Sequence, residues 1–292
     1  MISSASTINM AATDRATVSA VLVSYRTGPA LFQCLDALRA EPALAEILLV
    51  DNGNDDATLD RLRAWDDPRL RLITGHGNIG FAAGCHRGVA ASGAPFLLML
   101  NPDCLLAPGA VPALVTALAT ETKPWIGTVR LLEADGREQR GCRRAAGTPL
   151  NFFIEGLGLG RFFPRLRLNW HGNPLPEGLT AVPALSGAFM LMPRATWDAT
   201  GGLDTGYFLH LEDLDLCARL RALGGRCWFL PAPACTHIKS TSAAAAWVVE
   251  NHKLAGFWRY FRLWYPRPWL WRATVWLALA AGISARLVMK RR

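Results

Sequence analysis

The chain has 292 residues, 51% of them hydrophobic and 18% charged, with 26 glycines and 18 prolines; this excludes a disordered or fibrous protein and leaves room for one large core plus an appendage. A formal net charge of +8 points to an anionic partner such as a nucleotide, a phospholipid or a nucleic acid. The seven cysteines (34, 85, 104, 142, 217, 227 and 235) make no C-x-x-C pair, which argues against zinc knuckles and a disulfide framework and fits a reducing cytoplasmic compartment.

Residues 1–16 read as a flexible tail, small and polar and without the apolar stretch of a signal peptide. Residues 20–25 form the first apolar strand, and Leu31, Leu35 and Leu38 repeat behind it at helical spacing. Further strands are expected at 46–51, 70–73 and 96–100, with a helix of small residues over 81–91. Pro108 suits the first position of the next helix, ahead of Val111, Leu114, Val115 and Leu118. Apolar strands alternating with helices predict an α/β fold with a mainly parallel sheet covered on both faces. From 137 to 183 the pattern weakens into Gly, Pro, Arg and aromatic residues, which reads as a long irregular loop or lid. Regular structure returns at 184–192, followed by a helix carrying Leu216, Leu220 and Leu223 and ending at Gly224-Gly225. The body is thus expected to span 17–242.

Ligands of open α/β sheets sit at the carboxyl ends of the strands, where this chain places Ser24-Tyr25-Arg26, Asp51-Asn52-Gly53 and Asn101-Pro102-Asp103. Asn-Gly is also ordinary turn chemistry, and Asp103 also suits a helix cap. A dinucleotide-binding or methyltransferase domain would carry its glycines directly after the first strand. Here they fall later, at Gly75, Gly77, Gly80 and Gly84. Glu212, Asp213 and Asp215 open the later helix, where carboxylates complement the dipole. Three together repel one another, and the dipole favours the charged form a catalytic base needs. His237 follows an apolar strand, either as a structural histidine or as a metal ligand.

Together these segments resemble family 2 glycosyltransferases of the rhamnosyltransferase-like branch. The matching motifs are Val23-Ser24-Tyr25, Val50-Asp51-Asn52, the run from Asn78 through Gly80 to Gly84, Leu100-Asn101-Pro102-Asp103, Ser186-Gly187-Ala188-Phe189, Gly201-Gly202-Leu203-Asp204, Phe208, the run from Glu212 to Arg219, and His237. The resemblance implies a GT-A fold and inverting transfer from a nucleoside-diphosphate sugar, such as dTDP-rhamnose, to a glycan or polyisoprenoid-linked acceptor in cell-surface polysaccharide synthesis. UDP-galactofuranose or UDP-N-acetylglucosamine as donor, or a non-catalytic sugar-nucleotide or lipid-binding relative, are the alternatives. It further implies that Ser24, Tyr25, Asp51, Asn78, Gly80 and Asn101 line the donor nucleotide, the glycines letting the backbone approach it. Asp103 and His237 would hold Mg²⁺ or Mn²⁺. Asp213 would be the catalytic base, and Glu212 and Asp215 would position the acceptor or its loop. Cys85-His86 stands where the family often has Asn-Asn, and Lys239 where a small residue commonly follows the histidine.

The segment 243–292 is basic and rich in tryptophan. After Glu250 it has no acidic residue, while Arg259, Arg262, Arg267, Arg272, Arg286, Lys290, Arg291 and Arg292 follow. Its uncharged run, 273–285, is shorter than the ~20 residues a spanning helix needs. Tryptophan mixed with arginine suits a helix lying on the inner face of the cell membrane. The other reading is a helix packed on the body or on a second subunit of a homodimer. No nucleic-acid-binding motif accompanies the charge.

Overall fold

The computed structural model describes residues 17–238 and 246–266 together with positions 273, 276 and 277. The first apolar runs become β1 (Val18–Ser24), β2 (Leu44–Asp51), β3 (Leu70–Ile73) and β4 (Phe96–Leu100). Every residue of β1 is buried, as expected of a strand covered on both faces. α1 (Pro29–Arg39), α2 (Asp56–Arg63) and α3 (Phe81–Ala91) connect them. The pairs β1–β2, β2–β3 and β1–β4 are all parallel.

The second half adds β5 (Cys104–Leu105), α4 (Ala110–Ala117), β6 (Trp125–Leu132), β7 (Arg143–Arg144), α5 (Pro149–Gly156), β8 (Thr180–Val182), β9 (Ala184–Leu185), β10 (Phe189–Pro193), α6 (Arg194–Thr200), α7 (Glu212–Ala222), β11 (Arg226–His237) and α8 (Ala246–Trp264). The large sheet runs β3-β2-β1-β4-β10-β6-β11-β5, with β8 also on β11, and β7 pairs with β9 apart from it. β10 is antiparallel to β4 and β6, whereas β11 is parallel to β6. The α/β class and the mainly parallel mixed sheet are as the apolar pattern predicts. All seven cysteines are buried thiols.

Four local expectations change. α4 starts at Ala110 rather than at Pro108, because Gly109 takes a left-handed conformation (φ 74°) and becomes the N-cap. The 184–192 run is two strands broken around Gly187, whose amide turns toward the α7 helix. The stretch 137–183 is ordered. Thr148 and Asn151 form a reciprocal capping box that starts α5, and two short 3₁₀ turns follow at Leu159–Arg161 and Pro164–Leu166.

The fourth concerns the body's expected end at 242, since α8 packs on it. Phe257, Tyr260 and Phe261 are buried and meet Phe152 of α5 edge-on, with ring centroids 5.0, 6.1 and 5.4 Å away. Arg259 forks onto Asp204 at 2.9 and 2.7 Å, and Trp264 Nε1 donates to Asp215 Oδ1 at 2.8 Å. The first part of the basic segment is therefore a covering helix, and Trp247, Trp258 and Leu263 remain exposed on it. Among the described residues no helix is long and apolar enough to cross a membrane. The tail 1–16, Lys239 and most of the expected surface segment, including Arg267, Arg272, Arg286 and Lys290, lie outside the described residues.

Two glycines of α3 set how closely that helix approaches β1. A Cβ at Gly84 would come 2.7 Å from Val23 Cγ1, and one at Gly88 would overlap Val21 Cγ1. Gly88→Ala should therefore lower stability by about 1–3 kcal/mol, read as a lower urea midpoint at unchanged slope; an unaltered midpoint would contradict this packing.

Candidate active site

Parallel pairing sets Ser24 beside Asp51 at the carboxyl ends of β1 and β2, and Asn52 N donates to Ser24 O at 2.8 Å. Asp51 Oδ1 accepts from the backbone N–H of Gly53 (3.1 Å) and of Asn54 (2.8 Å), and from Asn54 Nδ2 (2.8 Å). All three bonds fall on one oxygen. Ser24 is fully buried and its hydroxyl pairs with Thr27 and Asn54. The bond to Asn54 ties Ser24 to the loop that follows β2. Tyr25 lies against Gly53, where a Cβ would come 3.3 Å from the ring.

Asn78 Oδ1 accepts from Gly80 N at 3.1 Å, while Asn52 Nδ2 donates to Gly80 O at 3.0 Å. Gly80 sits at φ +84°, and a Cβ there would meet the Phe208 carbonyl at 2.7 Å. Phe81 N donates to that carbonyl at 2.9 Å. The absent side chain at Gly80 thus makes room for Phe208, and those at Gly84 and Gly88 for β1. Packing within the protein requires glycine at these positions. Cys85 is buried. His86 Nε2 lies 2.7 Å from the Leu203 carbonyl, and its ring packs on Trp197, so the departure at Cys85-His86 faces the protein interior.

Antiparallel pairing of β5 with β11 puts His237 opposite Cys104, and Ile238 N bonds to Asp103 O at 3.0 Å. This register brings together residues 134 positions apart, with His237 Nε2 3.0 Å from Asp103 Oδ1 and 3.3 Å from Asn101 Nδ2. On the ring's other side Nδ1 donates to Gln139 Oε1 at 2.9 Å. That bond turns Nε2 toward the carboxylate, so a proton or a cation between Nε2 and Oδ1 satisfies the pair. Among the described residues no third carboxylate, thiol or imidazole joins them.

Asp213 stands in the first turn of α7, half-buried, with its Oδ2 accepting from Gly187 N at 2.9 Å and from Arg144 Nη2. The turn at 186–188 also reaches the other side of the site, where Asn101 N donates to Ala188 O at 3.0 Å. Asp103-His237 and Asp213 thus flank one turn. Asp215 has a different setting. It is buried under α8, with Oδ2 accepting from Arg219 Nε (2.8 Å) and Oδ1 from Trp264 Nε1, so it ties the start of α7 to the covering helix. His210 and Leu211 enter α7 with left-handed φ of 71° and 70°, a strained approach of the kind found where a site fixes its backbone.

Arg144, Gln139, Gly187 as a donor and Phe208 as a wall were not assigned these parts from sequence. Arg144 lies 69 positions from Asp213, and nothing local marks which of two adjacent arginines faces the site. Alternation along β7 decides it: Arg143 turns to Glu138 in a buried fork at 2.7 and 2.9 Å, and Arg144 to Asp213.

Glu212 is buried beside Asp213 with Oε2 unpartnered. Burial, and then the charge of Asp213, push its carboxyl up to about 8 from an ordinary 4.5. Below the ordinary value both the folded and the unfolded chain hold the proton. Between there and about 8 only the unfolded chain releases it, so the native state loses stability as pH rises through that window. Glu212→Gln, which cannot ionise, should therefore unfold at a higher temperature than the parent at pH 8 and at the same temperature near pH 4; equal melting temperatures throughout would contradict this environment.

The sequence matches the family described as Glycosyltransferase like family 2 over residues 15–256. It is 27% identical, over 93% of this chain and 94% of the relative, to the N-acetylglucosaminyl-diphospho-decaprenol L-rhamnosyltransferase of Mycobacterium tuberculosis. Among solved structures, the mannosyltransferase PcManGT from Pyrobaculum calidifontis, in complex with GDP-Man and Mn²⁺, superposes with a TM-score of 0.58 at 18% identity, covering 95% of this chain and 80% of that one. GalNAc-T7 with UDP, GalNAc and Mn²⁺ gives 0.59 at 17% identity over 78% of this chain, which spans 44% of that longer one. These structural likenesses show the GT-A fold. The chain belongs to glycosyltransferase family 2.

Proposed function

We propose that the protein transfers a sugar, with inversion, from a nucleoside-diphosphate sugar to a hydroxyl of a glycan or polyisoprenoid-linked saccharide at the inner face of the membrane. The observation that carries this is the turn at 186–188, which bonds Asn101 on the Asp103 side and Asp213 on the other. On this reading Asp103 and His237 would serve the leaving group and Asp213 the attacking hydroxyl, from the two sides of that turn. The name of the Mycobacterium tuberculosis relative supports rhamnose as the sugar, with dTDP-rhamnose as the donor.

The donor set suits a divalent ion. Asp103 supplies an anionic oxygen, His237 presents Nε2 beside it, and Gln139 holds the ring from behind. Two protein ligands are enough for Mg²⁺ or Mn²⁺ when phosphates and water complete the shell, and the imidazole favours Mn²⁺. The ion would supply Lewis-acid neutralisation of the departing diphosphate.

The remaining steps belong to side chains. Asp51 keeps Oδ2 outside the three bonds that fix Oδ1, which leaves it to accept a ring N–H of uracil or thymine. Tyr25 and Asn78 would border the base and ribose. Asp213 would accept the proton of the attacking hydroxyl as that oxygen bonds to the anomeric carbon and the diphosphate leaves from the opposite face. Arg144 and the Gly187 amide stabilise the carboxylate and fix its direction, while Glu212, retaining its proton, adds no second charge. Asp213→Asn should cut kcat by about 10²–10⁴ with donor affinity unchanged, measured by transfer assay and calorimetry on the same preparation. Full turnover in the variant would end the assignment of the base.

A further inference from the structure

We propose that residues 157–167 form a tip that docks on an anionic lipid surface. The segment leaves α5 and returns to pair beside the site: Arg144 forms an antiparallel bridge with Asn169, and Ala145 N donates to Leu168 O at 2.8 Å. The stem of the excursion is thus the same strand whose side chain holds Asp213. Between its ends the chain does what a soluble surface avoids. Leu157 is 49% exposed, Phe162 61% and Phe163 48%, in a segment too short to hide them.

The accompanying charge identifies the partner. From 156 to 176 there is no acidic residue, while Arg161, Arg165 and Arg167 lie within the tip. Arg161 and Arg165 are exposed and form no ion pair among the described residues. The Arg161 guanidinium lies over the Phe162 ring, 4.5 Å from its centroid, so cation and aromatic are presented as one unit. Apolar rings that enter the acyl boundary, with cations level with the headgroups, are the chemistry of an interfacial anchor. The tip is held in shape by Arg167 Nε donating to Gly160 O at 2.7 Å and by Asn151 Nδ2 donating to Leu166 O at 2.9 Å. Docking there would bring the Arg144-Asp213 side of the site to the membrane, where a lipid-linked hydroxyl is presented. The inference shares that acceptor with the proposed function, but its readout is not catalytic.

All seven native cysteines are buried, so a thiol-directed environment-sensitive fluorophore can be placed on Phe162→Cys alone. The full chain is mixed with vesicles of phosphatidylcholine containing phosphatidylglycerol, or of phosphatidylcholine only, with Asp60→Cys on α2 as the labelled control. The expected result is a blue shift and a rise on the order of twofold at position 162 with anionic vesicles only, and none at position 60. Adding Arg161→Glu and Arg165→Glu should raise the lipid needed by about tenfold or more. An unchanged position-162 signal on protein that floats with anionic vesicles overturns the proposal, as does failure of the labelled protein to float at all. A shift that appears without lipid and grows with protein concentration also overturns it, by making the tip a contact between copies.

Discussion

The bond from the Gly187 amide to Asp213 Oδ2 is the contact on which the rest of the site depends. To make it, the chain interrupts an apolar run between β9 and β10, giving up ladder pairing at 186–188. The same turn is held from the other side by Asn101. A Cβ at Gly187 would come 3.3 Å from Asp213 Cβ, so little room exists there for a larger residue. A single turn in the middle of the sheet therefore links the Asp103–His237 side to Asp213, and sheet register does the remaining positioning.

Electrostatics explains why that turn is enough. Three carboxylates in one helical turn repel, and the structure separates them by giving each a different environment. Asp215 is paired with Arg219 and capped by Trp264; Glu212 is buried, which pushes its carboxyl up to about 8; Asp213 is half-buried against Arg144 and a backbone amide. α8 takes part through Trp264, which donates to Asp215, and through Gly256, where a Cβ would come 3.0 Å from the His210 carbonyl on the approach to α7. The covering helix thus supports the turn that carries Asp213.

Much of this could be read in the sequence, and the exceptions share a cause. Strands β1 to β4 and helix α3 follow from apolar runs and small-residue spacing, and the strand-end clusters at Asp51 and Asp103 follow from the rule that such sheets bind ligands at their carboxyl ends. The Asp103–His237 encounter was legible only through the family resemblance, because it depends on the β5–β11 register. What escaped was long-range or conformational. Arg144 and Gln139 find partners far along the chain, Gly80 answers to the Phe208 backbone, and α5 begins at a Thr148–Asn151 box with asparagine in the place of the usual acid. The Trp-and-Arg composition of α8 suited both a membrane surface and a packed helix, and Phe257, Tyr260 and Phe261 in the core identify the packed face.

The most direct test of the account is calorimetric binding of UDP-, dTDP- and GDP-sugars to the full chain, with Mn²⁺, with Mg²⁺ and with chelator. One donor class is expected to bind, more weakly without metal, with Asp103→Ala removing the metal dependence together with most of the affinity and Asp213→Asn leaving both intact. Donor binding that is indifferent to metal and to Asp103→Ala, or failure of every donor to bind the folded protein, would contradict it.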